Sequence, residues 1–243
     1  MCYHTVNKKI KRTEPCAFTK KERIGESRRM DQYVVIDLEM CKVPKRNRRS
    51  YRRKNEIIEI GASLLDDDFQ IISEFKSFVC PKYGEIDTYI ENLTGIKTSV
   101  VADAPFFEDA VAAFLEWLPE NAVMTAWSDN DAHQLKVEAA AKGISNERLD
   151  RLIEEYVDCQ AIFSEKMENV RAYSLSDALN IAGIDYSDGA HDALVDAHNT
   201  ALLFKKLMSE ETFTVSPYLS QGGEDRLSYC PFADFLSGAN TAP

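Results

Sequence analysis

The sequence predicts an α/β protein built on a mixed central sheet, three antiparallel strands followed by parallel ones, with helices on both faces. Three observations carry this reading. Near the front, apolar segments of strand length follow one another at 33–38, 56–65 and 70–79. Three strands in succession read as an antiparallel meander. From residue 106 onward, stretches with helical apolar spacing alternate with short apolar runs, the order expected of strands and helices in alternation. Finally, 243 residues with 44% hydrophobic and 28% charged content allow a sizeable buried core.

The elements follow in order. Residues 1–30 have little apolar periodicity and read as an N-terminal extension. Tyr33-Val34-Val35-Ile36 is rich in β-branched residues and reads as a buried strand. The strands at 56–65 and 70–79 are joined by the acidic turn Asp66-Asp67-Asp68. Phe107, Val111, Phe114, Leu115 and Leu118 recur at helical spacing, and Pro119 ends that helix. Ala122 to Trp127 forms a fourth strand. Helices are expected from Asp131 to about Lys142 and from Asn146 to Ile153, then a short strand through Tyr156-Val157-Asp158. A helix opens at Ser174-Leu175-Ser176-Asp177 and stops near Gly183, and the last runs from about Asp192 to Met208. The core domain thus spans 31–210, and 211–243 is a tail rich in turn formers. No internal repeat is visible.

Composition narrows the function classes. No stretch approaches the roughly 18 apolar residues of a membrane helix, and the polar N-terminus lacks a secretory apolar segment. The six cysteines, Cys2, Cys16, Cys41, Cys80, Cys159 and Cys230, include no C-x-x-C pair. A zinc site from Cys2, His4 and Cys16 has poor spacing, so reduced thiols in a cytoplasmic protein are the simpler reading. The net charge of −11 argues against a general nucleic-acid coat. Within it, Lys42 to Lys54 holds eight Lys or Arg and no acid, starting three residues after Glu39. Such a run is usually a solvated loop, but here it suits phosphate contact beside a site.

The first strand ends in two carboxylates one residue apart, Asp37 and Glu39. Residues i and i+2 of a strand share a face, so both point the same way. Two anions so close are costly without a cation, which suggests a divalent metal with oxygen ligands. Further carboxylates occur at Asp129 and Asp131, after the fourth strand, although either could simply cap the helix there. His191 precedes the last helix, and Asp196 lies five residues on. A helix whose inner positions are Ala193, Leu194, Ala197 and Leu202 has no structural use for a buried aspartate, whereas a metal ligand there makes sense.

These segments together resemble the DEDDh 3′→5′ exonucleases. The D-x-E motif is matched by Asp37 and Glu39. The second motif, with Leu four residues on, is matched by Asp131 and Leu135, a register that favours Asp131 over Asp129. H-x-A-x-x-D-A is matched by His191, Ala193, Asp196 and Ala197. Between the motifs, Asn55-Glu56-Ile57-Ile58-Glu59-Ile60-Gly61, Leu93-Thr94-Gly95-Ile96, Ala104-Pro105 and Phe114 to Leu118 are similar to the subgroup of histone-mRNA 3′-end and RNA-interference-related exonucleases. A bacterial sporulation-inhibitor protein with this same domain looks like another relative. The resemblance covers roughly 31–210. Met40 stands where the family usually has a small residue or Thr, Asn130 where an aromatic is common, and the loop at 42–54 is unusually rich in Arg.

The resemblance implies a ribonuclease H-like fold and two Mg²⁺ or Mn²⁺ ions held by Asp37, Glu39, Asp131 and Asp196, with Asp37 bridging. His191 is then the base that takes the proton of the attacking water. The 3′ end of single-stranded RNA or DNA is expected to meet Leu38 and Met40, with Leu93, Thr94, Gly95 and Ile96 lining the pocket. Arg49 and Arg52 of the basic loop would contact backbone phosphates. Trp127 could stack on a base but, after a buried strand, reads more readily as core; His133 and His198 read as structural or surface residues. RNA or short oligonucleotides are the expected substrate, released as nucleoside 5′-monophosphates. A DNA-directed proofreading or repair exonuclease, or a non-catalytic binding module on the same fold, are the alternatives.

Overall fold

The computed structural model describes residues 32–168, 172–186 and 191–210. The N-terminal extension, the tail, the Cys2–His4–Cys16 group and Gly189-Ala190 lie outside the described residues. Five strands form one sheet: β1 (Tyr33–Lys42), β2 (Asn55–Leu65), β3 (Ile71–Phe78), β4 (Val123–Ala126) and β5 (Val157–Asp158). Their order is β3-β2-β1-β4-β5. The first three pair antiparallel, and β4 and β5 join β1 in parallel, as the sequence predicts.

Alternation along β1 feeds two cores. Val34, Ile36 and Leu38 pack on one face with residues of α4 (Phe107–Trp117), α5 (Asp129–Lys142) and α6 (Glu147–Glu154). Tyr33 and Val35 pack on the other with α7 (Cys159–Lys166), α8 (Leu175–Ala182) and α9 (Ala193–Ser209). Helices therefore cover both faces, and β1, central in the sheet, is buried nearly throughout. A smaller cluster joins Cys41 of β1 and Ile58 of β2 to Ile90, Ile96 and Val101.

The structure departs from the sequence-based expectations in several places. β1 runs four residues past Leu38. The basic segment is no plain loop: it holds the single turn α1 (Arg48–Tyr51), whose Tyr51 is buried and stacks on Tyr83 at 4.8 Å. Leu93 and Thr94 end a further helix, α2 (Thr88–Thr94), which Gly95 caps with φ of 72°. Another single turn, α3 (Thr98–Val101), follows it. The helix α5 starts at Asp129, and its cap is Ser128, which accepts from the Asn130 N–H, so neither nearby aspartate does that work. On α9, Leu194 and Leu202 are only half-buried, whereas Asn199 and Thr200 are fully enclosed.

Among the described residues no helix is long and apolar enough to cross a membrane. Cys41, Cys80 and Cys159 are free thiols.

Candidate functional site

The site is assembled from β1, α5 and α9. Asp37 and Glu39 project from one face of β1, toward α9. A register shift separates Glu39 from Met40: Glu39 pairs with Glu59 and Met40 with Ile57, so Ile58 is an extra residue on β2. Bulges of this kind re-aim side chains and are common beside active sites. Leu38 and Met40 point the opposite way and are buried in the core.

Asp131 lies in the first turn of α5 and is buried, whereas Asp129, two residues earlier, is exposed. Asp196 lies in the first turn of α9 and is buried. That turn is capped by Asp192, whose Oδ1 accepts from the Leu194 and Val195 N–H groups. His191, just before the cap, has φ of 65°, a left-handed conformation uncommon for a non-glycine residue. Its backbone N–H donates to Asp196 Oδ2 at 2.9 Å. Glu39, His191 and Asp196 each bring a potential ligand atom within 4.8 Å of the others.

The electrostatics bind Asp37 and Asp131 to this group. Burial, then the charges of Asp131, Asp196, Glu39 and Glu59, push the Asp37 carboxyl well above its usual range. Burial and the charges of Asp196 and Glu59 do the same to Glu39. Asp131 is raised to about 7, chiefly by burial, against the lowering effect of the Leu38 and Asp131 backbone N–H groups. Asp196 is raised by burial despite the hydrogen bonds of Tyr186 and His191. Among the described residues no lysine or arginine forms an ion pair with any of the four carboxylates. Carboxylates that resist ionisation, three of them buried and Asp37 half-buried, with no cation of the protein between them, fit a hard divalent ion. The donor set is mostly oxygen, with one imidazole.

Other expected residues fall elsewhere. Leu93 and Thr94 are half-buried, Gly95 is exposed, and Ile96 is packed with Ile58 and Ile90. Arg49 and Arg52 are exposed, Arg52 with φ of 58°. The basic segment is fastened to residues 83–85: Asn47 donates to the Tyr83 carbonyl at 2.7 Å, and Arg46 pairs with Glu85. Trp127 is core, its Nε1–H on the Tyr173 carbonyl, while His198 bonds Glu74 and His133 is exposed.

Sequence reasoning missed two neighbours of the site. The Tyr186 hydroxyl donates to Asp196 Oδ1. Lys76 reaches both Glu59 and Asp192. The strand partner Glu59↔Glu39 was legible once the meander was assumed, but nothing in the Ile184-Asp185-Tyr186 segment marks its tyrosine.

Residues 34–204 match the family described as Exonuclease (RNase_T). The chain belongs to this exonuclease family. It is 28% identical over 180 residues to the DNA polymerase III PolC-type of Caldanaerobacter subterraneus subsp. tengcongensis, covering 74% of this chain and 12% of that one. It is 29% identical over 179 residues to the ERI1 exoribonuclease 2 of Danio rerio, covering 64% of this chain and 32% of that one. The chain thus spans a third or less of the length of these two relatives. Among solved structures, the nuclease domain of 3′hExo, a DEDDh family member bound to rAMP, superposes with a TM-score of 0.65 at 19% identity, over 79% of this chain and 98% of that one. The fold of this exonuclease-family chain is ribonuclease H-like. Members of the DEDDh family use divalent metal ions, and Glu39, His191 and Asp196 form a candidate ligand group in this chain.

Proposed function

We propose that this protein is a metal-dependent 3′→5′ exonuclease of single-stranded nucleic acid, acting on RNA or short oligonucleotides and releasing nucleoside 5′-monophosphates. The observation that carries the reading is the convergence of Asp37, Glu39, Asp131 and Asp196 with His191, drawn from β1, α5 and α9. The catalytic unit is residues 31–210, flanked by the extension 1–30 and the tail 211–243.

Asp37, Glu39, Asp131 and Asp196 would hold two Mg²⁺ or Mn²⁺ ions. Bound there, the ions supply Lewis-acid stabilisation of the charge that develops on the attacking and leaving oxygens. His191 takes the proton of the attacking water on its imidazole. His191, with its left-handed backbone, brings a ring nitrogen within 4.8 Å of Glu39 and of Asp196, and its N–H also holds Asp196 Oδ2. The 3′-terminal nucleotide meets the backbone of Leu38 and Met40 and the end of α2 at Leu93, Thr94, Gly95 and Ile96. With Ile96 packed inside, Thr94 and Gly95 offer the accessible edge. Arg49 and Arg52 contact phosphates of the strand. Such contacts add affinity without sequence choice.

The preference for RNA rests on the subgroup resemblance, and fold alone does not fix substrate. A DNA-directed exonuclease differs in substrate, not chemistry. The free thiols of Cys41, Cys80 and Cys159 support a reducing, cytoplasmic location.

The test is digestion of 5′-labelled RNA and DNA of one sequence by purified protein with Mn²⁺ or Mg²⁺. The expected result is stepwise shortening from the 3′ end, faster on RNA, abolished by EDTA and by Asp37→Ala. No shortening of either strand under any divalent metal, by a protein shown to be folded, would refute the reading and leave a binding module.

A further inference from the structure

Beside the acidic group stands a clamp of opposite charge. Lys76 on β3 lies 2.7 Å from Glu59 Oε1 and 2.5 Å from Asp192 Oδ2. These partners come from β2 and from the cap of α9. Glu59 is almost wholly buried and is the strand partner of Glu39. Its other oxygen, Oε2, accepts from the Ala193 N–H, the first of α9, at 3.2 Å. Lys76 is in turn the strand partner of Gly61. A Cβ at Gly61 would lie 2.1 Å from the Ala193 carbonyl carbon, so α9 rests its first turn directly on the backbone of β2.

The start of α9 is therefore fixed by three contacts: backbone against Gly61, Glu59 on the Ala193 N–H, and Lys76 tying Glu59 to Asp192. Asp192 directly follows His191, and Asp196 lies one turn further on. Whatever sets Asp192 and Ala193 against the sheet also sets the distance from His191 and Asp196 to Asp37 and Glu39. We infer that Lys76 is a positioning residue: it docks the first turn of α9 on β2, and through that turn places His191 and Asp196 against the carboxylates of β1.

A surface ion pair would contribute little. This one is different in kind, since one partner is buried and the other caps the helix that carries the site. Burial works to lower the Lys76 pKa, yet its two carboxylates hold it above its ordinary value, so the ammonium stays charged. Groups that orient metal ligands from outside the ligand set typically change affinity or activity 10–100-fold when removed.

The inference rests on the exonuclease reading for its kinetic consequence, but not for its binding test. The experiment is Mn²⁺ calorimetry on the full chain, comparing wild type with Lys76→Met, Lys76→Arg and Asp192→Asn. Asn caps a helix as well as Asp, so D192N breaks the ion pair and keeps the cap. Positioning predicts that K76M weakens Mn²⁺ binding about 10-fold or more, that D192N shifts it the same way, and that K76R restores most of it. In digestion assays K76M lowers kcat while KM for the oligonucleotide stays within about twofold. A mere neighbouring cation predicts the opposite, because removing a positive charge tightens cation binding. Mn²⁺ affinity of K76M or D192N equal to or tighter than wild type, in protein with an intact thermal transition, overturns the inference. If wild type binds Mn²⁺ but shortens no strand, the exonuclease reading fails, and the calorimetric comparison still decides the role of Lys76.

Discussion

The Tyr186 hydroxyl and the His191 backbone N–H hold the two oxygens of one carboxylate, Asp196, from opposite sides. The carboxylate is thereby fixed in rotation before any ion arrives. Tyr186→Phe removes one of these restraints and leaves the ring's packing. The expected outcome is a rise of about tenfold in the Mn²⁺ concentration needed for half-maximal rate. Loss of a hydrogen bond to a charged group should also cost about 1.5–3 kcal/mol of stability. Metal titration of initial rates and thermal melts check the two parts separately.

Asp129 and Asp131 compete in the sequence but not in the structure. Only Asp131 is buried and electrostatically joined to Asp37. Asp131→Asn should reduce the rate by more than about 100-fold, beyond what loss of a merely supporting group costs. Asp129→Asn should stay within about twofold, since Ser128 caps the helix without it. Parallel kcat measurements on the two variants decide the matter.

The raised carboxyls make a definite demand on pH. Asp37, Glu39 and Asp131 bind protons more tightly folded than unfolded, where their pKa values are about 4. The native state then carries the extra protons, so the contribution of these carboxyls to metal-free stability is present at acid pH and is lost as pH rises above about 4, that of Asp131 through about 7. Divalent metal reverses the trend, because it binds the ionised form. Melting curves at pH 5 and pH 8, each with EDTA and with Mn²⁺, should show the larger metal-induced gain at pH 8. An equal gain at both would contradict the shifts.

Lys142 at the end of α5 sits between two buried carboxylates, Glu56 at 2.7 Å and Glu138 at 2.9 Å. Glu56 also accepts from the backbone N–H groups of Lys82, Tyr83 and Gly84. Lys142→Met strands both acids and should cost about 3–5 kcal/mol. Urea unfolding measures it. The Tyr51–Tyr83 stack depends on the same segment, so the basic loop should loosen in that variant.

The loop itself is testable by salt. Arg49 and Arg52 are exposed and, if each meets one phosphate, replacing both with Ala should weaken single-strand binding alike for all sequences. The slope of log affinity against log salt should fall by about 0.7 for each arginine removed. Fluorescence anisotropy at four salt concentrations reads this directly.

How much of this was legible follows from the range of each interaction. Asp37 and Glu39 could be read because strand alternation is local and the run before them is unambiguous. Asp196 could be read because a lone acid among alanines and leucines on an apolar helix is conspicuous. The mixed character of the sheet, antiparallel strands and then parallel ones, followed from the meander and the later alternation. What escaped has short periodicity or distant partners. The single turn at Arg48–Tyr51 and the two turns at Thr88–Thr94 are too brief for apolar spacing to show. Tyr186 lies in an irregular stretch, and Lys76 finds Asp192 across more than a hundred residues. Choosing Asp131 over Asp129 needed burial, which spacing only suggested.

The absence of a side chain at Gly61 also bears on the order in which the molecule forms. The acids span the chain from β1 to its last described helix, and long-range pairing of this kind is slow to close. Seating α9 on bare backbone at Gly61 joins the final third of the chain to the first. Until that contact closes, Glu39 has neither His191 nor Asp196 beside it. Metal affinity should therefore arise late in refolding and in one step, so that Mn²⁺ binding in a stopped-flow experiment would time the docking of the last helix.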